Sequence, residues 1–351
     1  MVAQNMQRNH HLQLKHALTT QRLYEPHGTS NIFTVPAATQ PCRTAIKSAG
    51  VLLAAPIIPF PFEVNPMSAV PTSTIPAWTT GWTAQQPFYL GPKFVPADTP
   101  WTAGPATGLQ HRDLGVTDAS KGKMSARHIR VVDPKAVPTD WVALDCDFQF
   151  LYVFQGSATM ENAAGQRVKL ERGLAAWQPA FLRYRIFDYS ADFEMFEMYA
   201  PAEPKAYIGR DTPLPARASE FAGMKGQYLA EEPDSFIQGA GPRKYFRYRD
   251  LGTTKPTDGR VHIHLVHSIE PMPGGTGWHT HSMRQLFYVV GGSAGWAAEG
   301  DTEHKRVNTW DAVCVYAGQK HDVPSFTADY KVLEICMPAE YDTVNAEAPK
   351  Q

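Results

Sequence analysis

The chain has 351 residues, enough for two domains that each bury a core. Its formal net charge of −1 excludes the basic footprint of a nucleic-acid or anionic-membrane binder. Twenty-six glycines and 29 prolines, spread along the chain, favour short strands joined by turns over long helices. Cys42, Cys146, Cys314 and Cys336 lie far apart with no CxxC pair. They read as reduced thiols of a cytoplasmic protein.

In chain order, residues 1–66 differ from the rest of the chain. "RNHHLQLKH" has no sustained periodicity, and His10, His11 and His16 within or beside it read as solvated rather than metal-binding. The apolar run "AGVLLAAPIIPFPF" from Ala49 is interrupted by Pro56, Pro59 and Pro61. It falls short of the ~18 apolar residues of a membrane span and lies too far along for an ordinary signal peptide. "MSAVPTSTIPAW" then reads as a fresh beginning at Met67. Residues 1–66 are therefore expected to be a disordered leader or to precede the natural start.

From there the chain repeats itself. "QFLYVFQGSA" (Gln149 to Ala158) matches "QLFYVVGGSA" (Gln285 to Ala294) at six of ten positions and an offset of 136. "SADFEMFEMYAPAE" (Ser190 to Glu203) matches "TADYKVLEICMPAE" (Thr327 to Glu340) at an offset of 137. Two matches in the same order argue for one duplicated domain. Short β-branched and aromatic runs, such as "VHIHLVHSI", "RQLFYVV" and "DAVCVY", are bounded by turn residues and read as antiparallel strands. The expected fold class is all-β, two tandem barrels of jelly-roll type. The expected divisions are 67–203 for the first copy, 204–250 for a surface connector, 251–345 for the second copy and 346–351 for a tail. The connector's "RKYFRYR" is too short a basic run to imply nucleic acid.

Chemistry concentrates in the second copy, in "GWHTHSMRQLFYVVGG". On a strand, residues i and i+2 share a face, so His279 and His281 project together, and Gln285 follows four residues later. His321 comes after "WDAVCVYAGQK", where an apolar strand enters an Ala-Gly turn. Three imidazoles and one amide oxygen could converge inside a barrel.

This pattern resembles the cupin superfamily, whose first motif runs His-x-His, then Glu, then Gly, and whose second ends in a Gly-x-x-His turn. Here Gln285 stands where the glutamate is usual, Gly292 follows it, and Gly318 and His321 match the second motif. Tyr316 and Ser325 replace the usual proline and asparagine. Over roughly residues 120–345 the chain resembles a bicupin. The resemblance implies one divalent metal per chain, held by His279, His281 and His321 with Gln285 in or beside the coordination sphere. The offsets place Ala143, Asp145, Gln149 and Tyr184 at the equivalent positions of the first copy, which should therefore be metal-free.

A neutral amide in place of a carboxylate leaves the cation its full charge. That difference is worth up to roughly 4 kcal/mol at 4 Å and an effective dielectric of ~20, and it favours substrates that chelate as anions. Imidazole and amide donors do not select Fe(II) over manganese, nickel, copper or zinc by affinity. The choice of Fe(II) comes from the resemblance, because three-histidine cupins include oxygenases. The leading expectation is an Fe(II)-dependent dioxygenase that uses O2 to cleave a small oxygenated aromatic or dicarbonyl substrate. The alternatives are a metal-dependent isomerase, lyase or decarboxylase, and a ligand-binding bicupin without turnover. Family members commonly associate, so a homo-oligomer is expected, and some bicupin oxygenases use a second subunit.

Two further residues are candidates for lining the pocket. Phe287 shares the inward parity of Gln285. His264, two residues after His262, maps onto His128 at the offset of 136, and a histidine common to both copies reads as structural. Tyr288 maps onto Tyr152, which favours a structural role for it as well. No residue is assigned as general acid or base.

Overall fold

A computed structural model describes residues 75–350 apart from 241, 242, 273 and 302. The expectations for residues 1–66, and Cys42 with them, lie outside the described residues. Among those described, helix is confined to the turns Val116–Ala119 and Ala216–Phe221, and the remainder is strand and loop. No helix among them is long and apolar enough to cross a membrane.

Each copy forms a barrel from a seven-stranded and a five-stranded antiparallel sheet. In the first copy the large sheet is centred on Phe148–Gln155, Glu194–Ala200 and Ser125–Val131. In the second copy its centre is Arg284–Gly291, Lys331–Met337 and His262–Ser268. The small sheet of the second copy carries His279–His281 and His321–Asp322 side by side.

The central strands are apolar almost throughout because both of their faces are covered. Along Phe148–Gln155, Leu151 and Val153 enter the first barrel's own core, while Phe148, Phe150 and Tyr152 enter a larger core shared with the second barrel. From the second copy, Leu286, Tyr288, Leu333 and Ile335 join that shared core, and Val289 and Val332 stay inside their own barrel. The two large sheets therefore cover each other. Burial of each such side chain contributes about 1.5–3 kcal/mol, an upper estimate against an extended chain.

The barrels also exchange strands. Lys93–Val95, near the start of the first copy, pairs with Ala312–Val315 of the second. Gln227–Leu229, ahead of the second copy, pairs with Ala175–Gln178 of the first. The stretch 204–250, expected as a connector, is divided between the barrels. Lys205–Ile208 adds to the first barrel's small sheet, and Ile237–Gln238 and Phe246–Asp250 add to the second barrel's large sheet.

Two buried arginines seal the junction at repeat-equivalent places. Arg112 donates to the Trp310 carbonyl at 2.9 Å and to the Tyr288 hydroxyl at 3.0 Å. Arg249 donates to the Gly173 carbonyl at 2.7 Å and to the Leu229 carbonyl at 3.0 Å. Gly173 and Trp310 are equivalent at the offset of 137, and both have left-handed backbone, with φ of 85° and 77°. The glycine that closes each repeated strand is required sterically. A Cβ on Gly156 would stand 2.5 Å from the Phe193 Cα, and one on Gly292 would stand 2.7 Å from the Tyr330 nitrogen.

Candidate metal centre in the second barrel

His279 and His281 lie on one short strand with the half-buried Thr280 between them, so alternation turns both imidazoles inward. His279 is paired across the ladder with His321. The three ring centroids are 4.4, 4.8 and 5.2 Å apart, and one nitrogen from each ring lies within 4.8 Å of the others.

The other nitrogen of every ring is already held. His279 Nδ1 lies 2.7 Å from the Gly277 carbonyl, His281 Nδ1 2.9 Å from Thr343 Oγ1, and His321 Nδ1 3.0 Å from the Gln319 carbonyl. Carbonyl oxygens on His279 and His321 fix the proton on Nδ1 and turn Nε2 into a lone-pair donor, the usual arrangement behind metal-bound histidine. His321 Nε2 is buried without a hydrogen-bond partner. Burial, with the neighbouring imidazoles adding to it, pushes His281 down to about 3 and His321 down to about 4. Burial lowers His279 as well. The rings are therefore neutral near pH 7, the form that binds metal.

Gln285, on the large sheet, meets Glu334. Its Nε2 donates to Glu334 Oε1 at 2.6 Å, while its Oε1 is buried without a partner. Two lone-pair atoms, His321 Nε2 and Gln285 Oε1, are thus desolvated and unsatisfied, each a cost of about 1–3 kcal/mol unless something binds them. The donor set of neutral imidazoles and one amide oxygen fits a divalent first-row cation.

Glu334 was not anticipated. It lies in the middle of the apolar strand Lys331–Met337 and contacts both Gln285 and His264, whose Nε2 is 2.9 Å from Glu334 Oε2. Burial would raise its carboxyl, but the His264 imidazole, followed by His281 and Arg243, outweighs that and holds it at about 2. The negative charge that Gln285 removes from the motif position is therefore returned by Glu334, one side chain further back. The sequence carried a signal for it, since Glu197 occupies the equivalent position of the first copy.

His264 continues a chain of contacts away from the centre. Its Nδ1 is 2.6 Å from His262 Nε2, and His262 Nδ1 is 2.9 Å from Thr254 Oγ1. Its counterpart in the first copy is Arg127, because His264 pairs with Glu334 as Arg127 pairs with Glu197. The alignment of His264 with His128 is corrected accordingly. His128 faces the junction of the barrels, with Nδ1 2.7 Å from the Tyr288 hydroxyl. Phe287 lies against Trp296 and His321, with ring centroids 5.5 and 6.2 Å away, and Trp296 stacks on His321 at 5.4 Å.

The equivalent region of the first barrel is self-satisfied. Gln149 donates to the Tyr184 hydroxyl at 2.8 Å and to Glu197 at 3.2 Å, and Arg127 pairs with Glu197 at 2.7 Å. Asp145 is paired with Arg217, and Ala143 offers no donor. An arginine and a phenol stand where the second barrel has histidines.

No protein-family model matches the sequence, and no curated protein matches it. Solved structures do resemble the fold. Procruciferin, an 11S globulin from Brassica napus, superposes with a TM-score of 0.51 at 8% identity, over 73% of this chain and 86% of that one. The fold is a bicupin. The 7S globulin of Momordica charantia gives a TM-score of 0.48 at 14% identity, covering 71% and 85% of the two chains. Oxalate decarboxylase from Bacillus subtilis gives 0.47 at 14%, covering 74% and 78%. At 8% identity the likeness to procruciferin extends to the fold and no further, so the chemistry of this chain rests on its own residues.

Proposed function

We propose that the second barrel holds one divalent metal ion through His279, His281 and His321, with Gln285 Oε1 as a neutral donor, and that the protein is an Fe(II)-dependent dioxygenase. The observation that carries the metal reading is the cluster of three imidazoles whose Nδ1 atoms are all engaged, with His321 Nε2 buried and without a partner; the equally unpartnered Gln285 Oε1 is the added donor of the proposal. The first barrel, with its equivalent groups paired internally, is a scaffold.

Fe(II) in such a site supplies Lewis acidity and the one-electron chemistry that O2 requires. The chain's own residues supply the rest. Glu334 orients the Gln285 amide, Thr343 and two carbonyls orient the imidazoles, and Trp296 with Phe287 backs His321 with an apolar wall that excludes water. The substrate class is a small oxygenated aromatic or dicarbonyl compound. Both atoms of O2 enter the cleaved product, so the reaction needs no outside reductant.

The test is elemental analysis of tag-free protein beside a His279→Ala/His281→Ala variant, followed by an oxygen-electrode screen of catecholic, hydroxybenzoate and diketone compounds. One equivalent of iron lost in the variant, with substrate-dependent O2 uptake, is the expected result. Turnover with release of CO2 and no O2 uptake would replace the dioxygenase by a metal-dependent decarboxylase. Wild type that takes up no divalent metal overturns the centre itself.

A further inference from the structure

Three residues of the first barrel hold a built-in cation. Arg127 donates through Nε to Glu197 at 2.7 Å and through Nη2 to the Tyr199 hydroxyl at 2.8 Å. The strand ladders fix the counterparts in the second barrel. Arg127 faces Glu197 as His264 faces Glu334, and two residues further along the same strand Tyr199 corresponds to Cys336. The guanidinium, carboxylate and phenol of one copy are thus an imidazole, a carboxylate and a thiol in the other. A fixed positive charge has been exchanged for donors that can bind one.

The three replacements stay together. His264 Nε2 is 2.9 Å from Glu334 Oε2, and Cys336 Sγ is 3.7 Å from Glu334 Oε1. One donor atom from each residue lies within 4.8 Å of the others. A tetrahedral zinc ion, with bonds of about 2.0–2.3 Å, sets its donors roughly 3.4–3.6 Å apart, a spacing that the two measured contacts bracket. The atoms behind the cluster are already held, His264 Nδ1 by His262 Nε2 at 2.6 Å and Glu334 Oε1 by the Gln285 amide at 2.6 Å. Outer contacts of this kind orient the ligands of a metal. The cluster is reachable, since the His264 and Glu334 side chains keep 10% and 13% of their exposure, while the thiol is fully buried. Burial, then the Glu334 carboxylate, raises the Cys336 thiol well above its ordinary value, so without a metal it keeps its proton.

We propose that His264, Glu334 and Cys336 form a second metal site, made of residues other than the three-histidine set, and that it takes zinc(II). A thiolate, an imidazole and a carboxylate are a zinc donor set, and the soft sulfur distinguishes it from the imidazole and amide donors of the first site. The role of the ion is structural. It supplies to Glu334 the positive charge that Arg127 supplies to Glu197 in the first barrel. Loading releases the thiol proton to solvent and leaves the sulfur as a thiolate on the metal. The site does not depend on occupancy of the three histidines.

The experiment titrates chelator-stripped, full-length protein with Co(II), which stands in for zinc and gives a near-ultraviolet band when bonded to a thiolate. Wild type, Cys336→Ser and His279→Ala/His281→Ala are compared, with metal content and melting temperature measured on each. The expected result is the band in wild type and in the double histidine variant, and its loss from Cys336→Ser together with one equivalent of metal. A band that persists in Cys336→Ser belongs to another cysteine and overturns the site, as does its absence from wild type. Loss of the band from a folded double histidine variant merges the two sites and overturns a separate one. Wild type with thiolate-bound metal and no further equivalent overturns the three-histidine centre and leaves this site standing. X-ray absorption of zinc-loaded wild type and double histidine variant needs no change at Cys336, so it decides even where Cys336→Ser does not fold. One sulfur neighbour at about 2.3 Å is expected, and a shell of nitrogen and oxygen alone overturns the proposal.

Discussion

Gln285 Nε2 lies 2.6 Å from Glu334 Oε1, and this one hydrogen bond fixes which end of the amide is spoken for. The nitrogen is used, so the oxygen is left as a desolvated acceptor. A glutamate at 285 would put two carboxylates in contact. Gln285→Glu is therefore expected to destabilise the metal-free protein by up to roughly 4 kcal/mol near neutral pH. Added divalent metal, which neutralises the pair, should recover most of that loss. Melting temperatures with and without metal, compared with wild type, check this, and an unchanged metal-free melt would contradict it.

Removing Glu334 should separate the two barrels functionally. Glu334→Gln is expected to weaken metal binding by about 10- to 100-fold, the usual cost of losing a carboxylate behind a metal ligand. Glu197→Gln, at the equivalent place, should leave metal affinity unchanged. It should instead cost roughly 3–5 kcal/mol of stability, because it strips the partner from the largely buried Arg127. Competition titration against a chelator reads the first effect, and denaturant unfolding reads the second.

The junction of the barrels carries a pH dependence. His128 is buried, and burial first, then the Arg112 and Arg130 charges, lower its pKa against the opposing pull of Glu194. A histidine depressed in the folded state is neutral in both states above its ordinary value near 6.5. As pH falls below that value the unfolded chain takes up a proton that the folded one resists, so stability declines. Between pH 7 and pH 5 the melting temperature of wild type should fall more steeply than that of His128→Gln. Identical slopes would exclude His128 as the cause.

The two junction arginines should behave alike despite lying on different copies. Arg112→Ala strips donors from the Trp310 carbonyl and the Tyr288 hydroxyl, and Arg249→Ala does the same at Gly173 and Leu229. Each is expected to cost about 2–5 kcal/mol, through acceptors left buried and unpaired. Both should lower stability without altering metal stoichiometry. Chemical denaturation with metal analysis of the same samples is the check, and loss of metal in either variant would mean that the junction reaches the centre.

Much of this protein was legible in its sequence, and the division has a physical cause. Strand alternation is local, so "HTH" alone places two imidazoles on one face, and composition with the repeated "YVxxGSA" pattern establishes two β-barrels. Chain-wide alignment also locates His321 against the missing histidine at Tyr184. What the sequence could not supply was register. The copies align at an offset of 136 around Gln285 and 137 around Glu334, and on a strand a slip of one residue exchanges the two faces. Read at the first offset, His264 matches His128 on the junction side. The ladder pairs it instead as the counterpart of Arg127, on the side of the centre. Glu334, 49 residues from its partner Gln285, became visible the same way. Pairing across strands and the path of loops arise from contacts between distant parts of the chain, and tertiary structure alone decides them.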